Sequence, residues 1–305
     1  MGGTLVQKEF VIQNFKRFRP YLVANAPLER LHTGFMWAEG PVYFQDLGLL
    51  IFSDVPGEKI YRYVDGQAPT VFRQPSGNAN GNTRDRQGRL LTCESGNRRV
   101  TRTEHDGRIT TLAERYEGKR LNSPNDIVVS SDDAIWFTDP DYGILSDYTG
   151  NKAPSEIGRR CVFRIDPKSG NLVIATDELG KPNGLAFSPD EKILYVADSS
   201  VSHDQQGAHE IVAFDVSAEG TLKSRRTFAV IDPGVPDGFR VDVDGNIWTS
   251  AADGVHCITP DGELIGKILV PETVTNLTFG GPKRNRLFIT AAASLYSVYV
   301  GVRGL

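Results

Sequence analysis

Residues 182–198 read PNGLAFSPDEKILYVAD. An Asn-Gly pair opens an apolar run, a Ser-Pro-Asp turn closes it, and a second apolar run leaves the turn. Two short apolar runs joined in this way predict a β-hairpin. Asn183 is a poor strand former, yet it stands where the hairpin enters the interior. The arrangement recurs. Residues 124–132 read PNDIVVSSD and residues 236–244 read PDGFRVDVD. In all three an Asn or Asp follows Pro, and a turn Asp comes seven positions later: Asn125 to Asp132, Asn183 to Asp190, Asp237 to Asp244. EGPVYFQD keeps the same spacing from Glu39 to Asp46, and looser copies begin at Asn80 and Asn276.

Each turn leads into a second strand-like run: LLIFSD, RLLTCE, AIWFTD, ILYVAD, NIWTSA and RLFITA. A third run follows in most copies, and a weaker fourth in several. Six copies at periods of about 40–58 residues, uninterrupted by a strong amphipathic helix, predict an all-β chain. The expected architecture is a six-bladed β-propeller of four-stranded antiparallel blades. The sixth copy stops soon after its third strand, while LERLHT at 28–33 has no blade of its own. That N-terminal strand is expected to complete the sixth blade and close the ring, removing exposed sheet edges. The expected organisation is an N-terminal arm over 1–26 and a single propeller domain over 27–305.

The formal net charge is −4, which gives no case for a nucleic-acid surface. The basic clusters FKRFRP and GNRRVTR are short and read as solvated faces. No apolar run approaches the roughly 18 residues of a membrane span, and the first residues lack the pattern of a secretory signal. Cys93, Cys161 and Cys257 each lie within a strand-like run and are expected as buried free thiols. The expectation is a cytoplasmic protein with no nucleic-acid or membrane partner, its oligomeric state open and a homodimer allowed.

The first strand of a propeller blade lines the central channel. Glu39, Asn80, Asn125, Asn183, Asp237 and Asn276 all sit at the start of that strand, so they are expected at one mouth of one channel. Singly, each is an ordinary turn residue. Together they form a ring of oxygens with no Lys, Arg or apolar member. Converging oxygens in a buried channel need a cation or a dense hydrogen-bond network. Two carboxylates with neutral amides suit a hard divalent ion such as calcium, whereas the absence of His and Cys argues against a zinc-type nitrogen and sulfur site. The second strands end near the same mouth in Asp54, Glu94, Asp139 and Asp198. Asp54 and Asp198 are expected to tie down backbone or Asn side chains. Glu94 and Asp139 precede irregular segments and are expected to touch substrate. Two long loops, 140–160 and 199–210, open on the same face as candidate pocket walls and carry Tyr142, Tyr148, His203 and His209. The chain contains no nucleophile elbow, HExxH, Walker A or GxGxxG motif.

The segments WAEGPVYF, NSPNDIVVSSDDAIWFTDPDYG, KPNGLAFSPDEKILYVADS and VPDGFRVDVDGNIWTS resemble the senescence marker protein/gluconolactonase family, and within it the bacterial gluconolactonases. The likeness runs from about residue 28 to the end. It implies a six-bladed propeller with a divalent ion, usually calcium, in the channel, and opening of sugar-acid lactones such as D-glucono-1,5-lactone to the aldonic acid. It places the metal ligands at Glu39, Asn125, Asn183 and Asp237, with Asp237 also the proton acceptor. It leaves Asn80 and Tyr142 beside Glu94 and Asp139 as candidate substrate contacts, and Asn276 as a supporting group with Asp54 and Asp198. Magnesium, manganese and zinc are alternatives to calcium. Animal members carry Arg two positions before the Asn of SPND; here that position is Ser123. Asp139 and Glu94 are alternative general bases. The rival readings are an aryl-ester or phosphotriester hydrolase on the same site and a non-enzymatic binding propeller.

Overall fold

A computed structural model describes residues 8–305. The expected propeller is present. Six antiparallel sheets follow one another along the chain, spanning 38–73, 79–113, 127–176, 182–230, 239–269 and 274–299. Each inner strand packs against the inner strands of both neighbours, the sixth against the first, which closes a ring around a channel. Glu29–Thr33 pairs with Ser294–Tyr299 and supplies the outer strand of the sixth blade. The ring is thus closed by the N-terminal strand the sequence offered. At this seam the Thr275 hydroxyl donates to the Ala38 carbonyl at 2.6 Å.

Alternation along the strands sends apolar side chains into the spaces between blades. Six buried clusters result, one at each blade-to-blade interface. The largest lies between the fifth and sixth blades, where Trp248, Leu277 and Ile289 meet Phe10 and Phe18. Residues from the expected arm are therefore part of this core. Phe10–Ile12 pairs with Leu264–Leu269 as a fifth strand on the fifth blade. Phe18 is fully buried, 6.3 Å from the Trp248 ring, over Gly266, where a Cβ would stand 2.3 Å from the Phe18 ring. Residues 1–7 of that arm lie outside the described residues. Cys93, Cys161 and Cys257 are buried and unpaired.

Close packing at the axis depends on small residues after the ring of oxygens. Gly40, Gly81, Gly184 and Gly238 follow Glu39, Asn80, Asn183 and Asp237. A Cβ on Gly184 would lie 2.3 Å from the Asp237 carbonyl, and one on Gly81 2.5 Å from that of Asn125. Their N–H groups donate to those same carbonyls, at 3.0 and 2.7 Å. Adjacent inner strands are thereby stitched together where the site is built.

Candidate functional site

Several inner strands change register at the ring: between Glu39 and Val42, Ala79 and Asn82, Pro182 and Leu185, and Val274 and Asn276. Such bulges bend a strand and re-aim its side chains. Here they accompany the convergence of Glu39, Asn80, Asn125, Asn183 and Asp237 on one cavity of about 470 Å³. Asn276 does not line it. That amide is buried behind Glu39, and its Nδ2 donates to Glu39 Oε2 at 3.3 Å. The Gly40 N–H donates to the same oxygen at 2.8 Å. Glu39 is thus oriented from behind while it faces the cavity.

The four candidate ligands Glu39, Asn125, Asn183 and Asp237 come from the first, third, fourth and fifth blades and share the cavity lining. Ser199 supports two of them. Its hydroxyl donates to the Pro236 carbonyl at 2.5 Å and accepts from Asn183 Nδ2 at 3.3 Å. The Asp237 N–H donates to the Ser250 hydroxyl at 2.7 Å.

The charges are uncompensated within the cavity. Glu39 and Asp237 are its lining carboxylates, and no Lys or Arg lines it among the described residues. Burial pushes Glu39 well above the usual carboxylate range, and the charge of Asp237 adds to this. Burial, then the charge of Asp126, pushes Asp237 up to about 7. Two acids in this state need a shared proton or a cation. The donor set of two carboxylate and two amide side chains fits a hard divalent cation with water or substrate completing the shell. His203, in a loop at the rim, is the lining's imidazole, so no nitrogen and sulfur set is assembled there.

Asp126 was not singled out from the sequence. It is 1% exposed, and its Oδ2 has no hydrogen-bond partner. It occupies the position held by glycine after four of the other ring residues. Arg240 lies 3.8 Å away, and its charge partly offsets the effect of burial on Asp126. The only sequence signal was this exception to the glycine pattern.

The acids at the ends of the second strands act as backbone clamps. Asp54 Oδ1 accepts from the N–H groups of Met36 and Trp37, both at 3.0 Å. Asp198 accepts from Gly180 and Lys181, at 2.8 and 3.0 Å. Asp139, expected to touch substrate, is fully buried and accepts from the N–H groups of Asn122 and Ser123, both at 2.8 Å. Glu94 is also withdrawn from the cavity. It is 1% exposed and accepts from Arg73, Asn97, Arg99 and Thr101. The structure corrects the substrate-contact reading for both: neither lines the cavity, because their oxygens are committed to fixing the strand entries and the neighbouring loop.

Tyr142 does line it, on a short helix, Tyr142–Leu145, within the long loop. Ser123 holds that loop, its hydroxyl donating to the Pro140 carbonyl at 2.6 Å and accepting from the Gly143 N–H at 3.0 Å. Asp141 accepts from Lys181 Nζ at 2.5 Å and from Arg160 at 2.6 Å. Lys181 Nζ also lies 4.9 Å from the Tyr142 ring centroid, whose other neighbour is the His203 ring at 5.4 Å. Trp37, Tyr148 and Val274 add to the walls, whereas His209 turns away and bonds the Ile231 carbonyl.

A family model described as the SMP-30/gluconolactonase/LRE-like region matches residues 37–293. The chain belongs to this family. The gluconolactonase of Zymomonas mobilis is 31% identical over 318 residues, covering 98% of this chain and 87% of that protein. The solved gluconolactonase of Xanthomonas campestris superposes with a TM-score of 0.89 at 38% identity, covering 96% of this chain and 95% of the other. Regucalcin of Xenopus laevis is 28% identical, over 83% of this chain and 82% of its own length. The family match spans the first five blades, the two inner strands of the sixth and all six ring residues, from Glu39 to Asn276.

Proposed function

We propose that this protein hydrolyses a sugar lactone to the aldonic acid, with one divalent cation, calcium in the first instance, held by Glu39, Asn125, Asn183 and Asp237. The observation that carries the reading is the pairing of Glu39 and Asp237 beside the amides of Asn125 and Asn183 in a cavity that no Lys or Arg lines among the described residues. The gluconolactonases among its relatives support the substrate class, and the regucalcin relative supports the choice of cation. The three unpaired buried thiols support a reducing, cytoplasmic setting.

When bound, a divalent cation supplies Lewis-acid polarisation of the lactone carbonyl. The chain's own groups do the rest. Tyr142, Trp37 and Tyr148 wall the cavity, position the ring and limit water. Asp237 Oδ accepts the proton of the attacking water as its oxygen bonds to the carbonyl carbon. The same proton goes to the ring oxygen as the acyl C–O bond breaks, leaving a hydroxyl and a carboxylic acid. Asn276 and Gly40 hold Glu39 in place throughout.

The test is a lactone panel on chelator-stripped protein with calcium, magnesium, manganese or zinc restored, run beside aryl esters and phosphotriesters. Cation-dependent opening of D-glucono-1,5-lactone and related lactones is expected. Preference for esters or phosphotriesters, or full lactonase activity in stripped protein, would overturn the proposal.

A further inference from the structure

The channel has a second mouth of opposite character. The lactone cavity carries two carboxylates. At the other end of the inner strands lies a cavity of about 350 Å³ lined by Arg84, Arg86, Arg240 and Arg284. Glu191 is the one side-chain carboxylate in that lining among the described residues, and it is held by the Ser131 N–H and hydroxyl at 2.9 and 2.6 Å; Leu305, the last residue of the chain, also lines the cavity and accepts from Arg284. Arg84 ends the second blade's inner strand and Arg86 follows in its turn. Arg240 lies in the fifth inner strand, and Arg284 in the turn after the sixth. Three blades thus deliver four guanidinium groups to one opening, in a chain whose formal net charge is −4.

These groups are poorly matched by acids. Arg84 is 3.7 Å from Asp46, Arg86 is 4.0 Å from Asp133 and Arg240 is 3.8 Å from Asp126. Several arginines elsewhere sit closer to an acid: Arg89 to Asp85 at 2.7 Å, Arg99 to Glu94 at 2.7 Å, Arg160 to Asp141 at 2.6 Å. At the mouth the bonds are to main-chain oxygens instead. Arg86 donates to Ser130 at 3.3 Å, Arg240 to Phe239 at 2.8 Å, and Arg284 to Leu305. A guanidinium carries five donors, so most of this donor capacity is uncommitted. Burial and the nearby charges of Arg84 and Arg303 all act to lower the Arg284 pKa, as expected where like charges crowd together. Such crowding is unfavourable unless an anion shares the site, and the planar fork of arginine matches the oxygens of phosphate and carboxylate.

The geometry points to an oxyanion site at this mouth, where Arg84, Arg86 and Arg284 grip the phosphate or carboxylate of a small ligand and Arg240 closes the deep end. Val42, Phe187 and Phe279 line the remaining wall and leave room for a compact apolar body on that ligand. The site is at the opposite end of the channel from Glu39 and Asp237 and does not depend on the lactone reading.

The experiment is calorimetric titration of the whole, cation-loaded protein with inorganic phosphate, phenyl phosphate and benzoate at fixed ionic strength. Saturable binding is expected for at least one probe, and the ranking of the phosphate and carboxylate probes identifies the head group. The Arg84→Ala/Arg284→Ala double variant is expected to weaken it at least tenfold. The single variants and an Arg84→Lys/Arg284→Lys variant should show intermediate losses, which guards against a folding defect in the double variant. Arg159→Ala, a solvent-exposed arginine paired with Asp177, serves as control and should leave binding unchanged. Absence of saturable binding for all three probes, or equal affinity in the wild type and the double variant, would overturn the site.

Discussion

Cation affinity should fall steeply with acidity, and the structure fixes the window. Burial, with the charge of Asp126, holds Asp237 up at about 7 in the cation-free protein, against an ordinary carboxylate value of 3.8. Below pH 7 its carboxyl is largely protonated, and a cation must expel that proton before it can bind. For one such proton the affinity falls tenfold per pH unit on the acid side, so it drops about 100-fold between pH 8 and pH 5, or ~2.7 kcal/mol at 1.36 kcal/mol per unit. Glu39 is raised as well, so the true slope lies at or above this value. The linkage has a second face. A group with a raised folded pKa stabilises the cation-free fold at low pH, and that contribution is lost as pH rises from about 4 through 7. The cation-free protein should therefore soften over this interval, and added calcium should restore it. Calorimetric titration of calcium between pH 5 and 8, in buffers of different ionisation enthalpy, reports both affinity and protons released. A change of less than about threefold across that range, with no proton release, would refute the pairing of Glu39 and Asp237 as a cation site.

Other expectations are equally specific. Asp237→Asn should lower turnover by roughly a hundredfold or more, since a general base typically contributes 10²–10⁴; near-normal kcat with cation bound would remove Asp237 from proton transfer. Gly184→Ala places a Cβ 2.3 Å from the Asp237 carbonyl and 2.9 Å from Gly238 Cα, so the fifth blade must retreat by about 1 Å to reach ordinary contact. Lactonase activity should collapse with only a modest drop in Tm, and unchanged activity would show that the strand approach is not needed. Asp198→Ala strands the N–H groups of Gly180 and Lys181 at a buried site and should cost about 2–4 kcal/mol in urea unfolding. Phe18→Ala should cost about 3–5 kcal/mol, as for other buried aromatics; a loss below 1 kcal/mol would mean that the N-terminal segment is only loosely attached.

The fold was legible because hairpin chemistry repeats at a readable interval. Asn183, Asn125, Asp237 and Glu39 were found by their distance to a turn Asp, and that distance survives the register changes at the channel because inner strand and turn shift together. Other features leave no such trace. Phe10–Ile12 is three residues long, too short for alternation to register, and it became a strand only by pairing with Leu264–Leu269. Asp139 and Glu94 end their strands as expected, but neither lines the cavity. Position along the chain says that an acid ends near the mouth, but its partners decide its role, and the main-chain N–H groups of Asn122 and Ser123 come from a segment that only the folded blade brings back. The arginines of the far mouth share no common offset from the ring residues, so no spacing rule could gather Arg84, Arg240 and Arg284.

A six-fold scaffold poses a chemical difficulty that this sequence resolves by breaking the repeat. Six identical acids at the ring would repel one another and would not fold, whereas six amides would bind a cation weakly. The chain places acids on the first and fifth blades only, with the sixth between them. Glu39 is one methylene longer than Asp237 and interacts with it directly across that gap. The sixth blade contributes Asn276, whose amide supports Glu39 from behind. Room for that amide exists because residue 238 is glycine: a Cβ there would lie 1.9 Å from Asn276 Cγ. Gly238→Ala should therefore displace Asn276, release Glu39 Oε2 and weaken calcium binding while leaving Asp237 itself untouched. Asn276→Ala should reproduce the loss of affinity, and the two substitutions combined should cost no more than the larger of them, since both act through one contact. Additive losses would show that Gly238 and Asn276 serve the site by separate routes.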